Sequence, residues 1–150
     1  MIKLASETID KKDIKQLINW LKTNPKLTQG ELTKKFETKF AKWMGTKYAL
    51  FCNSGSSANL LMLSALLETK IIQPKAKVVV PSICWSTDVA PIFQLNLNPI
   101  LCDLDLESFS IDLNHLEAIY KKEKPDLLFL VSILGFASNI NKIIKLSKKY

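Results

Sequence analysis

Not one arginine occurs among the 150 residues: all 21 basic side chains are lysine, and against 14 acidic ones they leave a formal charge of +7. Specific readers of nucleic acid favour the guanidinium for its bidentate fork. Here the lysines are scattered along helical stretches and form no single stripe. The composition argues against a nucleic-acid partner and describes solvated helix faces, with a mild positive field that favours an anionic substrate. Long apolar runs are missing too. None approaches the roughly 18 to 20 residues of a membrane helix, and the opening MIKLASETIDKKD carries acid where a secretory signal needs its apolar core. A cytoplasmic chain with no membrane partner is expected. The only three cysteines, Cys52, Cys84 and Cys102, show no CxxC spacing and sit in apolar runs, so buried reduced thiols are expected. The single histidine, His115, lies far from them in sequence, and no metal site is expected.

What is present is a chain apolar enough, at 47% hydrophobic residues, for one globular domain. Ile14, Leu17, Ile18 and Leu21 recur at i, i+3, i+4 and i+7 and predict an amphipathic helix over 10–23, ended by Asn24-Pro25. Leu32, Phe36, Phe40 and Trp43 predict a second over 31–44, with Gly45 as its αL cap. From Lys47 onward, short apolar runs alternate with helical stretches. The spacing predicts strands at 48–52, 78–80, 100–102 and 127–131, and helices near 56–68, 87–95, 112–122 and 139–149. Such alternation implies an α/β fold with a mostly parallel sheet. The helix after Cys52 has almost no polar face, which expects burial on most sides, under more sheet or a second subunit than these residues supply.

Two loops carry the functional signal. The turn Asn53-Ser54-Gly55-Ser56-Ser57-Ala58-Asn59 follows one predicted strand and opens a helix. Free backbone N–H groups at a positive helix end make that an anion site, with phosphate as the natural ligand. Gly55 permits close backbone approach and an unusual φ, and the Ser56 and Ser57 hydroxyls can donate to phosphate oxygens. The plainer alternative is that Ser54 is an ordinary N-cap in a tight turn. Neither the GxxxxGK[ST] nor the GxGxxG spacing is present. The second loop, Pro81-Ser82-Ile83-Cys84-Trp85-Ser86-Thr87-Asp88, follows the next strand. Both loops then fall at the carboxyl ends of strands, where open α/β sheets bind ligands. Trp85 offers a flat face for an aromatic ring, or simply packs in the core.

Five blocks together resemble a known family: LTQGELTKKFETKFAKWMGTKYAL from Leu27, FCNSGSSANLLMLSAL from Phe51, VVVPSICWST from Val78, PILCDLDLESFSID from Pro99 and VSILGFASNI from Val131. In order and spacing they are similar to the DegT/DnrJ/StrS-type sugar aminotransferases, enzymes of the fold type I pyridoxal-phosphate class. The resemblance implies a three-layer α/β/α large domain, here 27–150, preceded by a helical arm, 1–26. It implies pyridoxal 5′-phosphate or pyridoxamine 5′-phosphate as cofactor, with Gly55, Ser56 and Ser57 matching the phosphate-binding turn and Trp85 the residue stacked on the pyridine ring. Gln29-Gly30 and Gly135 fall in loops near the family's active site and take no assigned role.

The family's acidic partner of the pyridine nitrogen and its Schiff-base residue have no counterpart up to Tyr150, so no catalytic residue is assigned, and the 150-residue chain alone is expected to be inactive. The leading expectation for the whole enzyme is transamination of a nucleotide-linked keto sugar for cell-surface polysaccharide synthesis, with glutamate as amino donor, by a homodimer. A 3-dehydrase acting on an NDP-4-keto-6-deoxysugar with pyridoxamine phosphate is the neighbouring alternative. A non-catalytic binding module is the third.

Overall fold

A computed structural model describes residues 6–150. The first five residues of the expected arm lie outside the described residues. Two compact units result, one ending at Phe51 and the other spanning Cys52–Tyr150.

The first unit holds α1 (Lys11–Leu21) and α2 (Glu31–Met44). Asp10 belongs to the cap, not the helix: its carboxylate accepts from the Lys12 and Asp13 N–H groups at 2.7 and 2.9 Å, and the Asp13 carboxylate accepts from the Asp10 N–H at 3.1 Å. That reciprocal pair is a capping box. α2 ends as expected at Gly45, whose φ of 70° is left-handed. The Thr46 N–H reaches the Ala41 carbonyl at 3.0 Å and the Gly45 N–H the Lys42 carbonyl at 3.3 Å, a Schellman closure. On α2, Phe36 stacks on Phe40 and meets Phe51 edge-on, with ring centroids 5.6 and 5.5 Å apart.

The segment 48–52, expected as a strand, pairs with no strand among the described residues. A strand exists through its neighbour's ladder, and here the Phe51 N–H is taken by the Glu37 carboxylate at 2.9 Å. The apolar run records a tendency to be buried, which is not the same as a partner.

The second unit runs α3 (Gly55–Glu68), β1 (Lys77–Pro81), α4 (Ser86–Gln94), β2 (Asn98–Cys102), α5 (Leu113–Glu123), β3 (Leu127–Leu128) and α6 (Ile140–Lys149). β1 is central, parallel to β2 on one side and β3 on the other. From Val78 to Pro81 its sequence is apolar because both faces are covered. Val78 and Val80 pack with Leu63 of α3 and Ile92 of α4, while Val79 packs with Leu116 of α5 and Ile143 of α6. These are the three expected α/β/α layers. β3 is shorter than the expected 127–131, because past Val80 its neighbour is Pro81, which has no N–H to extend the ladder. α3 is less covered than its composition demands: Leu63 is fully buried, but Leu61 and Met62 stay exposed.

Candidate functional site

β1 and β3 are adjacent and parallel, yet the chain leaves them in opposite directions. After β1 it turns into α4, on the face shared with α3; after β3 it turns towards α6, on the face shared with α5. Diverging exits mark the switch point of a doubly wound sheet, at the carboxyl ends of the two strands, where such sheets bind ligands. The loop between β1 and α4 carries Trp85, and the turn that opens α3 is tied to α4 by side-chain hydrogen bonds.

Ser54 is the N-cap of α3. Its hydroxyl oxygen accepts the Ser57 N–H at 3.1 Å, its carbonyl accepts the Ala58 N–H at 3.1 Å, and its O–H donates to Ser57 Oγ at 3.2 Å. The capping reading is therefore correct for Ser54, but it does not exhaust the turn. Four N–H groups at a helix start lack intrahelical partners, and the cap takes only that of Ser57. Those of Gly55 and Ser56 have no hydrogen-bond partner among the described residues, and they stand at the positive end of α3.

Gly55 needs correction in one respect. It is the first helical residue and does not adopt a left-handed φ, unlike Gly45 and Gly135. Its value lies in space: a Cβ built there meets nothing within 4 Å. Gly55 and Ser56 are exposed and Ser57 is half-buried, so the donors line an open cradle.

Trp85 lies outside the core, 75% exposed, as the N-cap residue of α4. Its backbone is fixed although its ring is free. The Trp85 N–H donates to Asp88 Oδ2 at 3.0 Å, and the Asp88 N–H donates back to the Trp85 carbonyl at 2.9 Å. The other carboxylate oxygen of Asp88 accepts from Asn59 Nδ2, on α3, at 2.8 Å; the same amide reaches the Thr87 carbonyl at 3.2 Å. Asn59 and Asp88 thus join the two loops. Sequence reasoning passed over both, although each left a trace. Asp88 stands three residues after Trp85, at the capping-box distance, and Asn59 is a polar residue inside an otherwise apolar helical run.

The other sequence candidates are less organised. Gly30 caps α2 and belongs to the first unit, and Gly135 closes a single 3₁₀ turn, Ile133–Gly135, in the loop after β3. The thiols are free: Cys102 is buried, whereas Cys52 and Cys84, expected to be buried, are half-buried. Burial first, and the Asp88 charge second, push the Cys84 thiol up, so it stays protonated. Burial, with Asp112 and Asp103, pushes Cys102 up to about 12. Both shifts disfavour the thiolate, the form in which cysteine attacks. Among the described residues no group of three His, Cys, Asp or Glu could hold a metal ion, and no helix is long and apolar enough to cross a membrane. A cleft of about 500 Å³ lies along β3, lined by Tyr120, Asp126, Leu127 and Tyr150 among others; none of the four sequence-derived site residues borders it.

Comparison with known proteins supplies the context. The model of the DegT/DnrJ/EryC1/StrS aminotransferase family matches residues 8–150. The GDP-4-keto-6-deoxy-D-mannose 3-dehydratase of Yersinia pseudotuberculosis is 37% identical over 149 residues, covering 97% of this chain and 37% of that protein. The GDP-perosamine synthase of Caulobacter vibrioides is 25% identical, covering 99% of this chain and 39% of the relative. Among solved structures, the E. coli GDP-4-keto-6-deoxy-D-mannose-3-dehydratase with bound hydrated PLP superimposes with a TM-score of 0.85 at 33% identity, over 97% of this chain and 37% of that one. The chain therefore spans well under half the length of these relatives.

Proposed function

Because the chain belongs to the DegT/DnrJ/EryC1/StrS aminotransferase family, we propose that it supplies the phosphate and ring seats of a pyridoxal-phosphate or pyridoxamine-phosphate enzyme acting on nucleotide-linked 4-keto sugars. The observation that carries this reading is the α3 turn, where uncommitted Gly55 and Ser56 N–H groups, the Ser56 and Ser57 hydroxyls and the open space at Gly55 stand at one helix N-terminus. That donor set fits a phosphate dianion, and a Cβ at Gly55 would project into the space the anion needs. Trp85, exposed in the neighbouring loop, fits a flat aromatic ring.

Bound in this cradle, the cofactor supplies the electron sink for reactions next to the sugar carbonyl. The protein's own part is positional. Gly55, Ser56 and Ser57 anchor the phosphate end, and Trp85 covers one ring face and keeps water from it. We assign no proton transfer to residues 1–150. The residue that bonds covalently to the cofactor and the acid at its ring nitrogen belong, on this reading, to the part of the relatives' length that this chain does not span. The proposal also carries a helical arm over 1–26 before the 27–150 domain portion, a homodimer, a cytoplasmic location and, for transamination, glutamate as amino donor.

Transamination is the reaction of the family's name. A second reading, 3-dehydration, is favoured by a specific observation: identity is 37% to the Yersinia 3-dehydratase but 25% to the Caulobacter perosamine synthase. One experiment covers both. The complete enzyme is incubated with cofactor, glutamate and GDP-4-keto-6-deoxymannose, and the nucleotide sugars are read by mass spectrometry. An amino sugar identifies the transaminase, and loss of the C3 oxygen identifies the dehydratase. Unchanged sugar, with enzyme that takes up no cofactor, overturns the reading.

A further inference from the structure

We propose that Asn59 and Asp88 are positioning residues that hold the α3 turn and the Trp85 loop as a single cradle, so that a cofactor touching both is bound more tightly than either loop alone allows. The inference rests on the functional reading above and deepens it.

Asp88 is only 9% exposed, and it forms no salt bridge among the described residues. A buried carboxylate without a counter-ion is costly unless hydrogen bonds satisfy it. Its two oxygens are satisfied by groups from different elements: Oδ2 by the Trp85 N–H, Oδ1 by Asn59 Nδ2. Capping α4 requires only the first of these. The second comes from α3, 29 residues earlier in the chain. Asn59 lies three residues after Ser56 and four after Gly55, on the same side of the helix and one turn deeper than the phosphate donors. Its amide also holds the Thr87 carbonyl. The pair therefore ties the first turns of α3 and α4 together beside the two ligand-facing positions. The surrounding α3–α4 contact is apolar and non-directional, built from side chains such as Leu63 and Ile92, and hydrogen bonds are what fix such a contact to one register.

Two probes separate positioning from mere stability. Pyridoxal phosphate engages both loops, whereas inorganic phosphate engages only the α3 turn. In the complete enzyme, Asn59→Ala and Asp88→Asn are compared with the parent by titration of each probe and by quenching of Trp85 emission. Asp88→Asn keeps the volume and an acceptor for the Trp85 N–H, so it serves if Asn59→Ala folds poorly. The expected result is about tenfold weaker pyridoxal phosphate binding, equivalent to about 1.4 kcal/mol, with inorganic phosphate affinity changed less than about twofold and Trp85 quenching reduced. Parallel loss of both affinities, or retention of both, overturns the positioning role. A parent that binds no pyridoxal phosphate overturns the functional reading itself, and is seen before any variant is made.

Discussion

The Ser54 hydroxyl accepts the Ser57 N–H at 3.1 Å and thereby decides which donors of the α3 turn remain for a ligand. Ser57 is partly spent on the cap; Gly55 and Ser56 are not. Ser54→Ala is expected to cost ~1 kcal/mol of stability, the usual worth of such a cap, and to weaken cofactor binding because the turn loosens. Chemical denaturation of the complete protein checks the first effect and a cofactor titration the second. A stable variant with unchanged affinity would mean that the cap is dispensable.

Two glycines should respond oppositely to alanine. A Cβ at Gly30 would stand 2.5 Å from the Lys26 carbonyl oxygen, a backbone atom that cannot swing aside, so Gly30→Ala should destabilise the protein by roughly 1–3 kcal/mol. A Cβ at Gly55 meets open space within the chain, so Gly55→Ala should leave the melting temperature unchanged yet reduce cofactor affinity by crowding the anion. If Gly55→Ala bound cofactor normally, the open space would have no functional meaning.

Trp85 should report the cofactor directly. With Trp20, Trp43 and any further tryptophans of the complete enzyme replaced by phenylalanine, its emission should fall on addition of pyridoxal phosphate. Unchanged emission from a cofactor-loaded enzyme would place the ring elsewhere.

Acid should loosen the contact between α5 and α6. Hydrogen bonds from Lys149 and Tyr150, each 2.8 Å, and from Lys121 hold the Glu117 carboxyl down at about 2, from an ordinary 4.5. A depressed carboxylate contributes stability that is complete above the unfolded value and is lost as pH falls through the folded one. The contribution should therefore fade between about 4.5 and about 2, as the carboxylate is neutralised. Glu117→Gln should flatten the pH dependence of the unfolding midpoint in that window, lowering the midpoint slightly near neutrality, where the contribution is complete, and leaving it unchanged at the acid end. The group is solvent-accessible, so the effect should be small and reduced further by salt.

Much of this was legible in the sequence, and the reasons are physical. Helix caps are local: Ser54 and Gly45 act on backbone within a few residues, and α2 runs Glu31–Met44 as its apolar spacing and Gly45 required. β1 was legible because a strand buried on both faces must be apolar throughout. The 48–52 segment was misread because pairing is non-local, and β3 was cut short by Pro81 on its neighbour, 47 residues before Leu128. The same division applies to the site. The α3 turn announced itself through Ser54, Gly55 and the hydroxyls that follow. The Asn59–Asp88 bond joins two helices 29 residues apart in the chain, and neither residue took a role in the sequence reading because only the fold brings them together.

The measurement that tests the central claim most directly is the dissociation constant of pyridoxal phosphate from the complete enzyme, parent against the Ser56→Ala, Ser57→Ala double variant. Hydrogen bonds to a charged group contribute about 1.5–3 kcal/mol each, so loss of two hydroxyl donors at the α3 turn should weaken binding by about a hundredfold or more with the fold intact. A folded double variant that holds pyridoxal phosphate as tightly as the parent would contradict the assignment of this turn as the phosphate seat.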